Sequence, residues 1–277
     1  MIAAVRLHES DIIWKFDMMK ELGVQQHNMA TCAPTIWGDV LFICTSNGVG
    51  DSHIQVSAPN APSFMAMDKH TGNILWTDNS PGENILHGQW SCPVVGILGG
   101  VPTNIQQRGK LYSLWAAGAS TEKVVINPNS AAVWHYDKFD LDRDGMDDFE
   151  ETMHRTVGSP AIKNNLLFIA DFSGIVHCLN AKTGRPHWTC DLLAACWTTP
   201  LIVGENVYIS DEDGDVAIFA LSTDPSKSLK KARKVSDATH EPLNELNIGT
   251  AIFTMPVVAN NILYIASRNR LFAIAKE

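Results

Sequence analysis

Residues 140–151 read DLDRDGMDDFEE, and seven of these twelve side chains are carboxylates. Calcium is a hard cation that takes six to eight oxygens, and a twelve-residue loop supplies them from places one, three, five, seven, nine and twelve, with glycine at six for the sharp turn. Asp140, Asp142 and Asp144 fall on the first three of those places and Gly145 on the sixth. Met146 offers its backbone carbonyl at the seventh, Asp148 occupies the ninth, and Glu151 stands at the twelfth as the bidentate ligand. The pattern predicts one bound calcium ion with a structural role, because unneutralised carboxylates in so short a loop repel one another. The competing reading is an acidic, solvated loop without metal.

The ligand spacing resembles that of an EF-hand loop, yet the flanks show no helical periodicity. The eighth place, normally apolar, is Asp147, and no second such loop exists to pair with it. An unpaired loop of this kind belongs to the weak affinity range, ~10⁻⁴ M. The loop is expected as an insertion at about 137–156 in a single 1–277 domain.

Other chemistry is sparse. The sequence holds no G-x-S-x-G, no phosphate-binding glycine loop and no H-E-x-x-H. Asp211, Asp213 and Asp215 in SDEDGDV read as a tight Asp-Gly hairpin turn before they read as a metal site. His27, Asn28, Asn47, His53, His87 and Gln89 fall in loops that could share one face. A ligand site is one reading; turn caps and hydrogen-bonded core histidines are the favoured one. The six cysteines form no CxxC pair, and most sit in apolar runs, so buried free thiols are expected. A Cys190–Cys196 disulfide in an oxidising compartment is the alternative.

The elements that must position these residues come from a repeat. FMAMDKHTGNILW (64–76) and VHCLNAKTGRPHW (176–188) share apolar alternation, an acidic or amide residue, Thr-Gly and a tryptophan. This is a hairpin: the polar side chain caps the turn, glycine takes positive φ, and Trp lies on the returning strand. Units of the same form open at Pro34, Pro93, Pro160, Pro200 and Pro256. Four short strands per unit make the blade of an all-β propeller, with about five blade-equivalents. The last unit stops after its third strand, and DIIWKFDM at the N-terminus resembles a lone fourth strand that could pair with it and close a ring. In the fourth unit the Trp strand is expected to have decayed into the lysine-rich run 227–234, itself read as a solvated loop or strand edge.

AMDKHTGNILW and CLNAKTGRPHW resemble the PQQ-type β-propeller repeat, whose members include quinoprotein dehydrogenases and BamB-like proteins. The wider context, HNMATCAPTIWGDVLFICTSNGV with HGQWSCP, is similar to BamB-like PQQ-repeat proteins of planctomycete-type bacteria. The resemblance implies a bacterial cell-envelope or periplasmic location and a scaffold that binds a protein or envelope component. Such propellers usually carry about eight blades and a signal sequence. The chain is therefore expected to be a C-terminal or shortened version, with a blade lost around 106–130. The alternative is a quinoprotein dehydrogenase of alcohols or sugars. The family's enzymes stack PQQ between a Trp and a disulfide of two adjacent cysteines. No Cys-Cys pair occurs here, which leaves Trp90 and Trp197 as possible flat rings, with core packing the favoured reading of both.

The net charge of −9 speaks against a nucleic-acid surface. No stretch approaches the ~18 apolar residues of a membrane helix.

Overall fold

The computed structural model describes residues 1–5, 11–28, 32–85, 87–95, 113–114, 134–230 and 241–275. It is an all-β repeat structure in two compact units, Met1–Val95 with Ser113–Val133, and Gly96–Tyr112 with Trp134–Glu277.

In the first unit, β1 (Ile2–Val5) pairs antiparallel with β2 (Ile12–Phe16), followed by the short helix α1 (Met18–Leu22). Asp17 caps α1 by accepting hydrogen bonds from the Met19 and Lys20 backbone N–H groups, and Gly23 ends it at φ +68°. The first blade is the antiparallel sheet β3 (Thr35–Trp37), β4 (Val40–Cys44), β5 (Phe64–Asp68) and β6 (Ile74–Asp78). β7 (Val94–Val95) opens after Pro93 as expected and pairs with β8 (Ser113–Leu114). The segment 124–133, including the shortened turn of the second repeat, lies outside the described residues.

Among the described residues, the second unit holds two complete blades and one of three strands. The first comprises β9 (Ala161–Lys163), β10 (Leu166–Ala170), β11 (Ile175–Asn180) and β12 (Pro186–Asp191). The next comprises β13 (Leu201–Val203), β14 (Asn206–Ser210), β15 (Asp215–Ala220) and β16 (Asn244–Asn247). The last comprises β17 (Val257–Ala259), β18 (Ile262–Ala266) and β19 (Leu271–Ala275).

Two expectations are corrected. The N-terminal strand β2 takes β1 as its hydrogen-bonded partner, a hairpin the sequence pattern did not reveal. The fourth strand of the Pro200 unit is not in the lysine run but at β16, a segment without Trp. Leu229 instead makes an isolated bridge to Pro242, with Leu229 buried and Lys230 paired to Glu241 at 2.8 Å.

Apolar strands form the core within each unit. VLFIC of β4 and LLFIA of β10 are buried on both faces, as continuous apolar runs require. One core joins Phe168, Val176 and Trp188 to Val207, Ile209 and Phe219 of the following blade. Tryptophan fixes the register between neighbours. The Trp134 indole N–H donates to the Ala181 carbonyl at 3.2 Å, and Trp188 donates to Ser222 at 3.1 Å. In the other unit Trp14 donates to Lys69 at 2.9 Å. Each ring therefore rests on the hairpin that comes after it in sequence. Gly184, at φ +71°, lies beneath the Trp134 ring, and a Cβ there would sit 2.4 Å from Cε3. Gly72 stands in the same relation to Trp14, at 2.6 Å. The glycine of Thr-Gly thus meets two demands, a left-handed turn and an overlying indole.

Candidate metal centre

The acidic segment is a closed loop on a β-ladder stem. Met153 N–H donates to Asp137 O at 2.6 Å, Phe139 N–H donates to Glu151 O at 3.1 Å, and Lys138 bridges Thr152 between them. An isolated β-bridge replaces the helix pair that usually holds such a loop. Asp147, out of pattern at the eighth place, forms an ion pair with Lys138 of the stem.

Inside the loop, backbone amides organise the carboxylates. Asp140 accepts from Asp144 N–H and Gly145 N–H, each at 3.1 Å, and Asp142 accepts from Asp144 N–H at 3.1 Å. Asp144 accepts from Met146 N–H at 2.7 Å. Gly145 takes φ +82°, the sharp turn its position predicts. Oxygens of Asp140, Asp142 and Asp144 consequently lie within 4.8 Å of one another, with all three side chains exposed. Asp148 begins a 3-10 turn, Phe149–Glu151, that carries the chain back to the stem, while the Met146 side chain points to solvent.

Glu151 at the twelfth place is buried, at 8% exposure. Its Oε1 accepts from Leu141 N–H at 2.8 Å and Asp142 N–H at 3.3 Å, whereas Oε2 has no hydrogen-bond partner. A buried carboxylate oxygen without a partner is costly unless a cation completes it. Burial raises the Glu151 carboxyl above the usual carboxylate range, and the nearby Asp142 and Asp140 charges act in the same direction against its amide hydrogen bonds. Asp148 is raised as well, by desolvation and then by the neighbouring carboxylates of Asp144 and Asp142. The donor set is all oxygen, acidic and crowded, and it fits calcium in kind.

The loop feeds into a buried polar network that sequence reasoning missed. Asp171, fully buried after β10, accepts from His154 N–H at 3.1 Å and pairs with His154 Nδ1 at 2.9 Å and His177 Nε2 at 3.4 Å. Tyr136 Oη lies 3.1 Å from His177 Nδ1. Burial alone would raise the Asp171 carboxyl, but the histidine and amide hydrogen bonds outweigh it and hold it at about 2. Asp211 takes the same turn place in the next blade, accepting from Asp213 and Asp215 N–H at 3.0 Å each. The acidic triplet around it is thus a turn. Desolvation pushes the Asp211 carboxyl up to about 6. His154 lies 17 residues before Asp171 and His177 six after it, and neither carries a motif, so only topology reveals the group.

The profile of the PQQ-repeat family described as outer membrane protein assembly factor BamB matches residues 10–226 and 121–276. The chain belongs to that family. Among solved structures, BamB from Moraxella catarrhalis superposes with a TM-score of 0.54 at 14% identity, covering 98% of this chain and 62% of that one. This PQQ-repeat chain therefore spans less than two thirds of that relative, and the likeness is one of fold. The quinohemoprotein alcohol dehydrogenases are more distant. That of Pseudomonas putida aligns over 40% of this chain and 16% of its own, with a TM-score of 0.30 and 16% identity. That of Comamonas testosteroni aligns over 39% and 16%, with a TM-score of 0.29 and 16% identity. No curated protein matches.

Among the described residues all six cysteines are free thiols, Cys190 and Cys196 included, and no two are adjacent. Trp197 donates to Glu212 at 3.0 Å and is packed edge-on against Phe172 and Phe253. Trp90 packs against His87. Among the described residues no helix is long and apolar enough to cross a membrane.

Proposed function

We propose that this PQQ-repeat protein is a non-catalytic binding scaffold of the bacterial cell envelope, which takes a protein or envelope component as partner and carries one structural calcium ion. Asp140, Asp142, Asp144, the Met146 carbonyl, Asp148 and Glu151 hold the ion. The observation that carries the calcium reading is the buried, half-satisfied Glu151 carboxylate at the loop's closing place. The scaffold reading rests on family membership and on the lack of an adjacent cysteine pair. The ion acts on architecture: Glu151 is three residues before His154, whose imidazole and amide both bind Asp171 at the β10–β11 turn. Fixing the loop fixes the entry into the blade.

The test is thermal unfolding with and without calcium. At a hundredfold excess over a dissociation constant of ~10⁻⁴ M, the bound ion adds about 2.7 kcal/mol. That corresponds to roughly 5–10 °C for a chain of this size. Asp140→Ala combined with Glu151→Gln should abolish the rise while the metal-free protein still melts cooperatively. Calorimetry without calcium uptake at millimolar concentration refutes the site.

A further inference from the structure

We propose that His27, His53 and His87 form a second metal site, for a late-transition divalent ion of the zinc type. The three come from separate segments of the Met1–Val95 unit, and one ring nitrogen from each lies within 4.8 Å of the other two. Their ring centroids are 4.2, 4.6 and 5.1 Å apart. A zinc ion holding imidazoles at about 2.0–2.1 Å sets its ligand nitrogens about 3.3 Å apart, so closure needs a contraction of roughly 1.5 Å at most.

The backbone draws the segments together. His27 N–H donates to Ser46 O at 3.2 Å, Gly48 N–H to Gln25 O at 3.0 Å, and Val49 N–H to His87 O at 3.1 Å. The strand-like run 46–49 is thus stitched to the His27 segment on one side and the His87 segment on the other. Only glycine permits this at position 48. A Cβ there would stand 2.5 Å from the His27 Cβ and 2.6 Å from the His87 carbonyl. His53 rides the tip of a small hairpin closed by the Val49–Val56 bridge and the Gly50–Gln55 hydrogen bond. It has φ +57°, a left-handed conformation that β-carbon residues rarely adopt.

The tautomer of His27 is set for ligation. Its Nδ1 lies 2.9 Å from the Val49 carbonyl oxygen, which can only accept, so Nδ1 carries the proton and Nε2 keeps its lone pair. This N–H···O=C bond is the outer-shell contact that orients metal-bound imidazoles and raises their basicity. Nε2 now accepts from Asn28 Nδ2 at 3.0 Å, a contact that the ion replaces. The buried His27 is the fixed ligand, His87 is half-buried, and the exposed His53 on its hairpin closes the site. Three imidazoles without a carboxylate favour zinc, copper or nickel over calcium, and they leave a fourth position for water.

The test uses the full chain, stripped with chelator and held in millimolar calcium so that the acidic loop is saturated. Calorimetry should find one zinc ion per chain. Cobalt, as the spectroscopic probe, should give a ligand-field band without sulfur charge transfer, and zinc should displace it. His53→Ala alters only an exposed hairpin tip and should weaken zinc binding at least tenfold, with the calcium-dependent melting rise intact. His27→Gln should do the same, and Asp140→Asn should leave zinc binding unchanged. Unaltered zinc affinity in His53→Ala, no uptake by the wild type, or a thiolate charge-transfer band pointing to Cys32 and Cys92 each overturns the proposal.

Discussion

Replacing Gly184 by alanine separates the two demands on the Thr-Gly turn. At φ +71° the added Cβ costs about 1–2 kcal/mol through the left-handed conformation alone. It also arrives 2.4 Å from the Trp134 ring, whose displacement adds roughly 1–3 kcal/mol of overpacking. Moving the ring also threatens its hydrogen bond to Ala181, worth about 1 kcal/mol. The sum is about 3–6 kcal/mol. Gly204 supplies the control, because it lies at φ +60° in the β13–β14 turn, where an added Cβ would meet nothing within 4 Å. Gly204→Ala should therefore cost only about 1–2 kcal/mol. Urea unfolding followed by far-ultraviolet circular dichroism reads both. In a Trp134→Ala background the Gly184→Ala penalty should fall to that of Gly204→Ala, a coupling of about 2–4 kcal/mol. Equal losses at the two glycines, or a penalty indifferent to Trp134, would refute the docking account.

Asp171 and Asp211 predict opposite pH responses. The folded carboxyl of Asp171 is depressed from 3.8 to about 2, so its contribution, roughly 2 kcal/mol, is present above pH 4 and lost as pH falls toward 2. Asp171→Asn should remove that acid limb from the stability–pH curve. Asp211 is raised to about 6, so its effect favours folding at low pH and is lost as pH rises through 6. Asp211→Asn should accordingly stabilise the protein at pH 8 by on the order of 1–2 kcal/mol and leave it unchanged below pH 4, measured by denaturant midpoints. Burial pushes the thiols of Cys44, Cys178, Cys190 and Cys196 well up, with hydrogen bonding from Cys32 the leading cause at Cys44. A thiol reagent should spare these four in the native state and label all six after unfolding, with Cys32, lowered chiefly by its Cys44 hydrogen bond, the most reactive.

Much of the fold was legible because its signals are local. Apolar pentads such as VLFIC and LLFIA, proline before each first strand and the Thr-Gly turn all act within a few residues. So does the acidic loop, whose internal amide bonds span five residues or fewer except at Glu151. What stayed hidden depends on distant pairing. The strand after the lysine run escapes a sequence reading because β16, NELN, is exposed and polar and carries no strand pattern of its own. The partner of β2 is equally hard to read, because edge pairing leaves no mark in composition. The sequence already places His27, His53 and His87 in loops that could share one face, but the backbone bonds of residues 46–49 that draw their rings together are encoded by no spacing rule.

The direction of tryptophan docking also bears on synthesis. Trp14 precedes the 68–72 turn it covers, Trp134 precedes 180–184, and Trp188 precedes Ser222. As the chain leaves the ribosome, each of these three indoles emerges ahead of its target, so the hairpin it covers meets a lid already waiting. Assembly can then proceed from the N-terminus like a zip, one repeat at a time, instead of awaiting the last residue. A stalled nascent chain ending just past a Thr-Gly turn would already hold that turn closed.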